Sequence, residues 1–474
     1  MTDARPLSPF EHLLLRDQRP GYPMCFFLHC DVEGNLDTAR LRGALEGASR
    51  RHPLLRSRVR DSWWRPTWRA ADRDPVLVVV RSGAPVAADG DPDSPWRPID
   101  IRRESGVRMV AVETGPSSWR VVLQVQHSAC DGLAGLEFLG DVWSLYHGAE
   151  PAGFRTPSRV LRRRAQAAGE AEPPADEPPP AQDAAPAGGV AGETVRFAGF
   201  LPAALARGPA SGPGDGVEAY RLPYVPRTLD ARSTAAIKER ATAAGVAVND
   251  VIVAAVMRAV VEWNLRAGRS CRRLRVTMPA SLKPAGTRAP ACIDMGYAFL
   301  DRDAHACRDV PSLVASIAAA SRWIQEHRAA GVFLDTLATI DRFPPAMRLV
   351  TRVPLPLASA VVSNVGNAGP RMKIGPPPEG VAGAPWAVRL VGVAGVPPVR
   401  PGTRLAVGVV FHDGRMALCV QSDPRALGPA AAPLLADLVR DQVVACASAL
   451  GPDGGAGCRD DDGTAGAGSR DFPR

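Results

Sequence analysis

The stretch Gln126-His127-Ser128-Ala129-Cys130-Asp131-Gly132 decides how the rest of this chain is read. Just before it, Trp119 to Val125 reads as a strand. Just after it, Leu133, Leu136, Leu139, Val142, Trp143 and Tyr146 recur at the spacing of an amphipathic helix. His127 therefore falls in a strand-to-helix turn, a place where a rigid scaffold commonly carries chemistry. An imidazole titrates close to neutrality, so small changes in its surroundings make it a base. Asp131, four residues on, either orients that ring or points away and fastens the loop to a distant cation. Gly132 permits the tight bend that opens the helix. Alone, H-x-x-x-D-G is a weak pattern, because two common residues at fixed spacing recur by chance.

Around this turn the chain reads as a mixed α/β (α+β) protein. Asn35 to Arg51 has Leu36, Ala39, Leu41, Leu45 and Ala48 at helical spacing, and Pro53 ends it near His52. Val76 to Val80 is a short buried strand. From Ala165 to Gly192 the chain is mostly Ala, Pro, Glu, Asp and Gly, too poor in large apolar residues to offset its ordering entropy. Val195 to Leu201 reads as a short ordered return before the Gly/Pro stretch Gly208 to Gly216. Beyond it, Leu229 to Ala244 is a helix stopped by Gly245, and Asn249 is placed to cap a second helix, Asp250 to Asn264. Strands are expected at Leu274–Met278 and Ala358–Ser363, and a hairpin at Arg404–Phe411 and Met416–Gln421, turning on Asp413-Gly414. A last helix runs from Ala430 to Leu450. The expected organisation is a lobe over 1–164, a flexible linker over 165–216, a second lobe over 217–450 and a disordered tail over 451–474.

Composition narrows the function. At 474 residues the chain exceeds what one core usually organises, so two lobes are natural. The net charge of +8 comes from arginine, with lysine only at Lys238, Lys283 and Lys373. Those arginines are scattered, which argues against nucleic-acid binding. Nine cysteines, an odd number with no C-x-x-C pair and no clustering with histidines at zinc spacing, argue against a disulfide framework and a structural metal site, so no metal is expected. No apolar run is long enough to span a bilayer, and the N-terminus lacks a secretory pattern. A soluble, cytoplasmic protein without integral membrane association is the expectation.

The 126–132 segment resembles the active-site motif of the condensation-domain and chloramphenicol-acetyltransferase-like acyltransferase superfamily, where His-His-x-x-x-Asp-Gly is typical of condensation domains. Four further stretches are similar and fall in the family's order: Pro6–Glu11, Arg51–Arg56, Val248–Ile252 and Ser363-Asn364-Val365-Gly366. The last resembles a strand end of wax ester synthases and polyketide-associated acyltransferases. The resemblance implies two chloramphenicol-acetyltransferase-like lobes in a V-shaped pseudo-dimer with a central tunnel. It implies His127 as the catalytic base, with Asp131 and Gly132 structural at the site. Asp131 then pairs with a basic residue of the scaffold. Gln126, Ser363, Asn364 and Lys283 are candidates for substrate contact.

The implied reaction moves an acyl group directly from a coenzyme A or phosphopantetheinyl thioester to a small-molecule alcohol or amine. That thioester is a co-substrate and no cofactor is bound; an acyl or peptidyl carrier protein can serve in trans. Direct transfer needs no acyl-enzyme and so no activated serine or cysteine, and Cys130 and Ser128 read as filler and His52 as helix-end packing. A freestanding condensation enzyme of a peptide or polyketide assembly line is the alternative, and a degenerate scaffold or recruiting module is another. Three departures bear on substrate: Gln126 replaces the first histidine, Lys283 stands where arginine is usual, and Gly296-Tyr297 replaces a Gly-Asn pair. His29 and His412 are assigned no chemistry. Trp63, Trp64 and Trp68 with Arg60, Arg65 and Arg69 are read as a half-buried β edge in preference to a docking surface.

Overall fold

Most strands of the chain fall into two sheets, one drawn mainly from each half of the sequence. The structure is a computed structural model and describes residues 5–82, 94–155, 200–208, 222–284, 286–352, 357–374, 383–428 and 430–451. The first half holds β1 (Arg5–Pro6), α1 (Pro9–Asp17), β2 (Cys25–Gly34), α2 (Thr38–Arg51), β3 (Ser57–Arg60), β4 (Thr67–Ala70), β5 (Val76–Val80), β6 (Val107–Gly115), β7 (Ser118–Gln126) and α3 (Gly132–Tyr146). The second half opens with β8 (Val225–Leu229), α4 (Ala231–Ala243), α5 (Val248–Arg266), β9 (Arg273–Ser281), β10 (Met295–Asp303), α6 (Val310–Glu326), α7 (Ala330–Asp341) and α8 (Pro344–Arg352). It continues through β11 (Ala360–Asn367), α9 (Ala368–Met372), β12 (Val388–Val396), β13 (Leu405–His412), β14 (Arg415–Ser422) and α10 (Ala431–Ser448).

The first sheet runs β12-β2-β7-β6-β5 and the second β10-β9-β11-β13-β14-β8; β1, β4 and β3 form a small third sheet. In the second sheet β11 lies parallel to both β9 and β13. One strand crosses the division: β12 comes from the second half of the chain yet pairs antiparallel with β2, Val396 opposite Phe27. The crossing needs two glycines. A Cβ on Gly408 of β13 would collide with the Gly395 carbonyl of β12, so the two backbones touch where the sheets meet.

Helices α2 and α3 cover the first sheet, with Leu41, Leu45, Leu136, Phe138 and Trp143 fully buried. Helices α5 and α10 cover the second, through Val251–Met257, Leu435 and Val439. A third cluster forms the seam, joining Phe10, Leu14 and Met24 to Met295, Tyr297 and Met347.

Local chemistry explains the element ends. Asp37 accepts the Ala39 and Arg40 N–H groups, so α2 begins at Thr38, three residues later than its apolar spacing suggests. Asn249 does not cap α5. The helix opens one residue before it, and the Asp250 carboxylate accepts the Ala247 N–H at 3.0 Å. Asp413 and Gly414 both take positive φ, 46° and 73°, as a primed hairpin turn requires.

Within the expected linker, residues 165–199 and 209–216 lie outside the described residues. Residues 200–208 pack on the second core: Leu205 is fully buried and Asn264 accepts the Ala206 N–H at 2.6 Å. The ordered return expected over 195–201 and the tail expected over 451–474 also lie outside them, apart from residues 200, 201 and 451.

Candidate active site

Strand β7 ends at Gln126, paired with Cys25, and the chain then turns sharply into α3. The His127 N–H donates to the Met24 carbonyl at 2.7 Å, and the Ala129 N–H donates to that of Gln126 at 2.9 Å. The ring of His127 is held on two sides. Its Nδ1 lies 3.1 Å from the Cys130 carbonyl, and the edge of Phe26 meets it at 5.0 Å between centroids. A carbonyl only accepts, so Nδ1 carries the hydrogen and Nε2 carries the lone pair. Burial, outweighing the charge of Asp131, pulls the imidazole below its usual pKa and keeps it neutral.

Asp131 does not orient that ring, and the cation expected to pair with it is not at hydrogen-bond range. Its Oδ1 accepts the Ala134 N–H at 2.9 Å, capping α3, and its Oδ2 accepts the Asp294 N–H at 2.9 Å from the second half of the chain. Lys283 instead sits 3.8 Å from Glu137 Oε2. Burial works against the charge on Lys283, but the carboxylates of Asp131 and Glu137 outweigh it and hold the ammonium above its usual range.

Gly132 has no unusual backbone angle. Its missing side chain matters for space, since a Cβ there would come 3.2 Å from Val365 Cγ1. Gln126 is fully buried, donating to Gln18 at 2.8 Å and accepting the Ser128 N–H at 2.7 Å, so both ends of its amide brace the turn and it does not line the cleft beside His127.

His127 opens onto a narrow cleft walled by both sheets. The lining is mainly apolar, with Phe26 and Leu28 from β2, Met295 from β10, Val361 from β11 and Val396 from β12. Among the lining residues the polar side chains are His127, Ser363, Tyr297 and Arg400. Ser363 is thus where the sequence pointed. Its neighbour Asn364 turns aside, donating to Asn249 at 3.2 Å and accepting the Gly366 N–H at 2.9 Å. Lys283 is not on the wall.

Two further groups line the cleft: Arg400, which no local pattern marks, and Tyr297, part of the Gly296-Tyr297 pair noted above as a departure. Arg400 reaches Asp17 at the end of α1, 2.5 Å away, and is one arginine among many. Tyr297 stacks edge-on against Phe10, and burial pushes its hydroxyl up to about 12, so it remains a phenol. The glycine before it is required, because a Cβ on Gly296 would strike the Ala330 carbonyl.

The other candidates fall away from the cleft. Cys130 is fully buried and its thiol is pushed well above the usual range by that burial, so it stays protonated. Ser128 is equally buried and is not among the residues lining the cleft. His52 ties the halves together, its Nε2 3.0 Å from Asp141 and its Nδ1 accepting the Ala291 N–H at 2.8 Å. His29 has a partner that its sequence neighbourhood does not reveal, the Tyr224 hydroxyl at 2.6 Å. Of the three tryptophans, only Trp68 lies in a strand, buried and donating to Glu11; Trp63 and Trp64 stand out in the loop before it. Among the described residues no group of three or more His, Cys, Asp or Glu side chains is placed to hold a metal ion.

No family model matches the chain. An uncharacterized protein of Mycobacterium tuberculosis is 25% identical over 463 residues, covering 94% of this chain and all of that protein. Among solved structures, trichothecene 15-O-acetyltransferase from Fusarium sporotrichioides superposes with a TM-score of 0.60 at 10% identity, over 93% of this chain and 94% of its own. A variant of the starter condensation domain of rhizomide synthetase, in complex with C8-CoA and Leu-SNAC, gives 0.58 at 14% identity over 97% and 98%. Polyketide synthase associated protein 5 from Mycobacterium tuberculosis gives 0.57 at 15% identity over 94% and 99%. The chain therefore has the fold of the condensation-domain and chloramphenicol-acetyltransferase-like acyltransferase superfamily.

Proposed function

We propose that this chain is an acyltransferase that moves an acyl group from a thioester of coenzyme A or of a carrier protein to an alcohol or amine. The observation that carries this reading is the His127 ring. Its Nδ1 is committed to the Cys130 carbonyl, its neutral form is favoured by burial, and it lines a cleft between the two sheets. In the reaction Nε2 takes the acceptor's proton as the acceptor oxygen or nitrogen attacks the thioester carbonyl. The tetrahedral species then collapses, the carbon–sulfur bond breaks, and the imidazolium returns the proton to the departing thiolate. No acyl-enzyme forms, in keeping with a Cys130 thiol that burial holds protonated. The apolar walls suit an acyl chain, and the Ser363 hydroxyl on the same wall is a polar group available to the reacting centre. The C8-CoA bound by the rhizomide neighbour and the acetyl transfer named for the trichothecene neighbour support the same chemistry.

Free thiol release tests this reading, with octanoyl-coenzyme A and an octanoylated carrier protein offered beside a panel of alcohols and amines. Transfer from coenzyme A supports the acyltransferase. Transfer from the carrier alone supports a freestanding condensation enzyme, the alternative consistent with the condensation-domain neighbour. Thiol release from neither donor sinks both and leaves a scaffold.

The same base sets the pH dependence. A histidine whose pKa is lowered from 6.5 keeps its lone pair as pH falls through that value. The expected kcat/KM profile is therefore flat through pH 6.5 and falls with unit slope only below it. An acid limb centred above that value would show that some other group is the base.

A further inference from the structure

Five of the large apolar side chains that stand furthest into solvent lie together: Trp63 (67% exposed), Trp64 (50%), Phe343 (58%), Leu349 (69%) and Val350 (50%). Trp63 and Trp64 are in the loop between β3 and β4; Phe343 leads into α8, which carries Leu349 and Val350. Direct contacts join the tryptophan loop to Phe343 and Arg348, and Leu349 and Val350 follow Arg348 on the same helix. Trp64 meets Phe343 edge-on at 5.7 Å, the Arg348 guanidinium lies 5.3 Å over Trp63, and Arg348 donates to the Ser62 carbonyl at 2.9 Å. Helix α8 buries Pro344, Met347 and Thr351, one face at helical spacing. Its outward side, polar in an ordinary surface helix, carries leucine and valine.

The exposed charge around this patch is cationic, and Asp341, next to Arg342, is taken up by His12. Arg60, Arg65, Arg342 and Arg352 are exposed, and no ion pair engages any of them among the described residues. Another nearby carboxylate, Asp61, is already bonded by Arg16 and Arg102 and lies 3.6 Å from Arg348. Burial, together with the charges of Arg16, Arg102 and Arg352, holds the Arg348 guanidinium below its usual range. A second copy of this face would bring arginine against arginine. A protein ligand buries its anchors in hollows, whereas these side chains project. Projecting Trp, Phe and Leu ringed by unpaired arginine are the chemistry of an anionic bilayer surface: rings settle at the headgroup level and guanidinium groups meet lipid phosphates.

We propose that this face docks the protein peripherally on an anionic bilayer, with Trp63, Trp64, Phe343, Leu349 and Val350 entering the headgroup region and Arg65, Arg342 and Arg352 contacting phosphate. The proposal stands apart from the acyl-transfer reading. It nevertheless bears on that reading, because Met347 on the inner face of α8 packs in the seam with Met24, Met295 and Tyr297, which line the cleft.

Co-sedimentation of the full chain with vesicles tests it, comparing phosphatidylcholine alone with an equimolar mixture of phosphatidylcholine and phosphatidylglycerol. The full chain should bind the mixed vesicles and leave the neutral ones. Two variants keep the test independent of folding, and equal urea midpoints will show that both remain folded. Trp63→Ser/Trp64→Ser/Leu349→Ser removes the apolar contacts, and Arg65→Glu/Arg342→Glu/Arg352→Glu reverses the charge. Each should lower the partition coefficient at least about tenfold, the second more steeply at low salt. Absence of binding to mixed vesicles, equal binding to both kinds, or variants that bind like the parent would each overturn it. If the mixed vesicles do not bind the parent and the arginine variant loses transfer from a loaded carrier protein, the face is a protein dock and the proposal fails.

Discussion

His127→Ala is expected to lower kcat for acyl transfer by about 10²–10⁴-fold, while KM for the acyl donor stays within a small factor. The split follows from where the ring acts. A base takes the acceptor's proton only as the carbon–oxygen or carbon–nitrogen bond forms, so its loss falls on the transition state and spares donor binding. The ring's contacts, the Cys130 carbonyl and the edge of Phe26, orient it more than they support the turn. The turn is held by backbone bonds from His127 to Met24 and from Ala129 to Gln126, which alanine keeps. His127→Gln separates shape from chemistry, since an amide fills similar space and cannot accept a proton at neutral pH. Both variants should lose activity together with unchanged urea midpoints. Activity within a few-fold of the parent in His127→Gln would mean that the imidazole contributes shape alone, and the base would have to be sought elsewhere on the cleft.

How far the site can be read from residues depends on the distance over which each signal acts. The strand, turn and helix over 119–146 are legible because their apolar spacing is local, and the structure places them at Ser118–Gln126 and Gly132–Tyr146. The hairpin is legible for the same reason: Asp413-Gly414 is a turn by its own conformational preference. The mixed fold follows from five short stretches in the superfamily's order, and the structural neighbours share it. The pairing of β12 with β2 is not legible. It joins residues more than three hundred positions apart, and nothing near Val388–Val396 marks which sheet the strand will enter. Side-chain direction fails similarly. Gln126 and Asn364 stand beside good candidates, but each spends its amide on a partner set by the fold, Gln18 in one case and Asn249 in the other. Arg400 reaches the cleft only through the crossing segment and its pairing with Asp17, so no local pattern singles it out.

Asp131→Ala is expected to destabilise the protein by about 2–4 kcal/mol, combining a lost helix cap with a lost acceptor for a second backbone N–H. The two bonds join different parts of the molecule. Oδ1 holds the first turn of α3 through Ala134, and Oδ2 holds Asp294, just before β10 in the other half, while the Asp131 N–H donates to the Cys292 carbonyl at 3.3 Å. Removing the carboxylate therefore loosens the turn that carries His127 and the junction that walls the cleft. Asp131→Asn retains one oxygen acceptor and should recover roughly half of the lost stability. Urea midpoints measure both. Activity should fall alongside, through a looser site, with the acid limb of the pH profile unmoved or slightly lower. The sign follows from charge: Asp131 stabilises the imidazolium from a distance, so its removal can only make His127 easier to deprotonate. A carboxylate that oriented the ring directly would behave differently. Its amide replacement would keep the urea midpoint and still lose activity by orders of magnitude, and that pairing of results would restore Asp131 to the catalytic machinery.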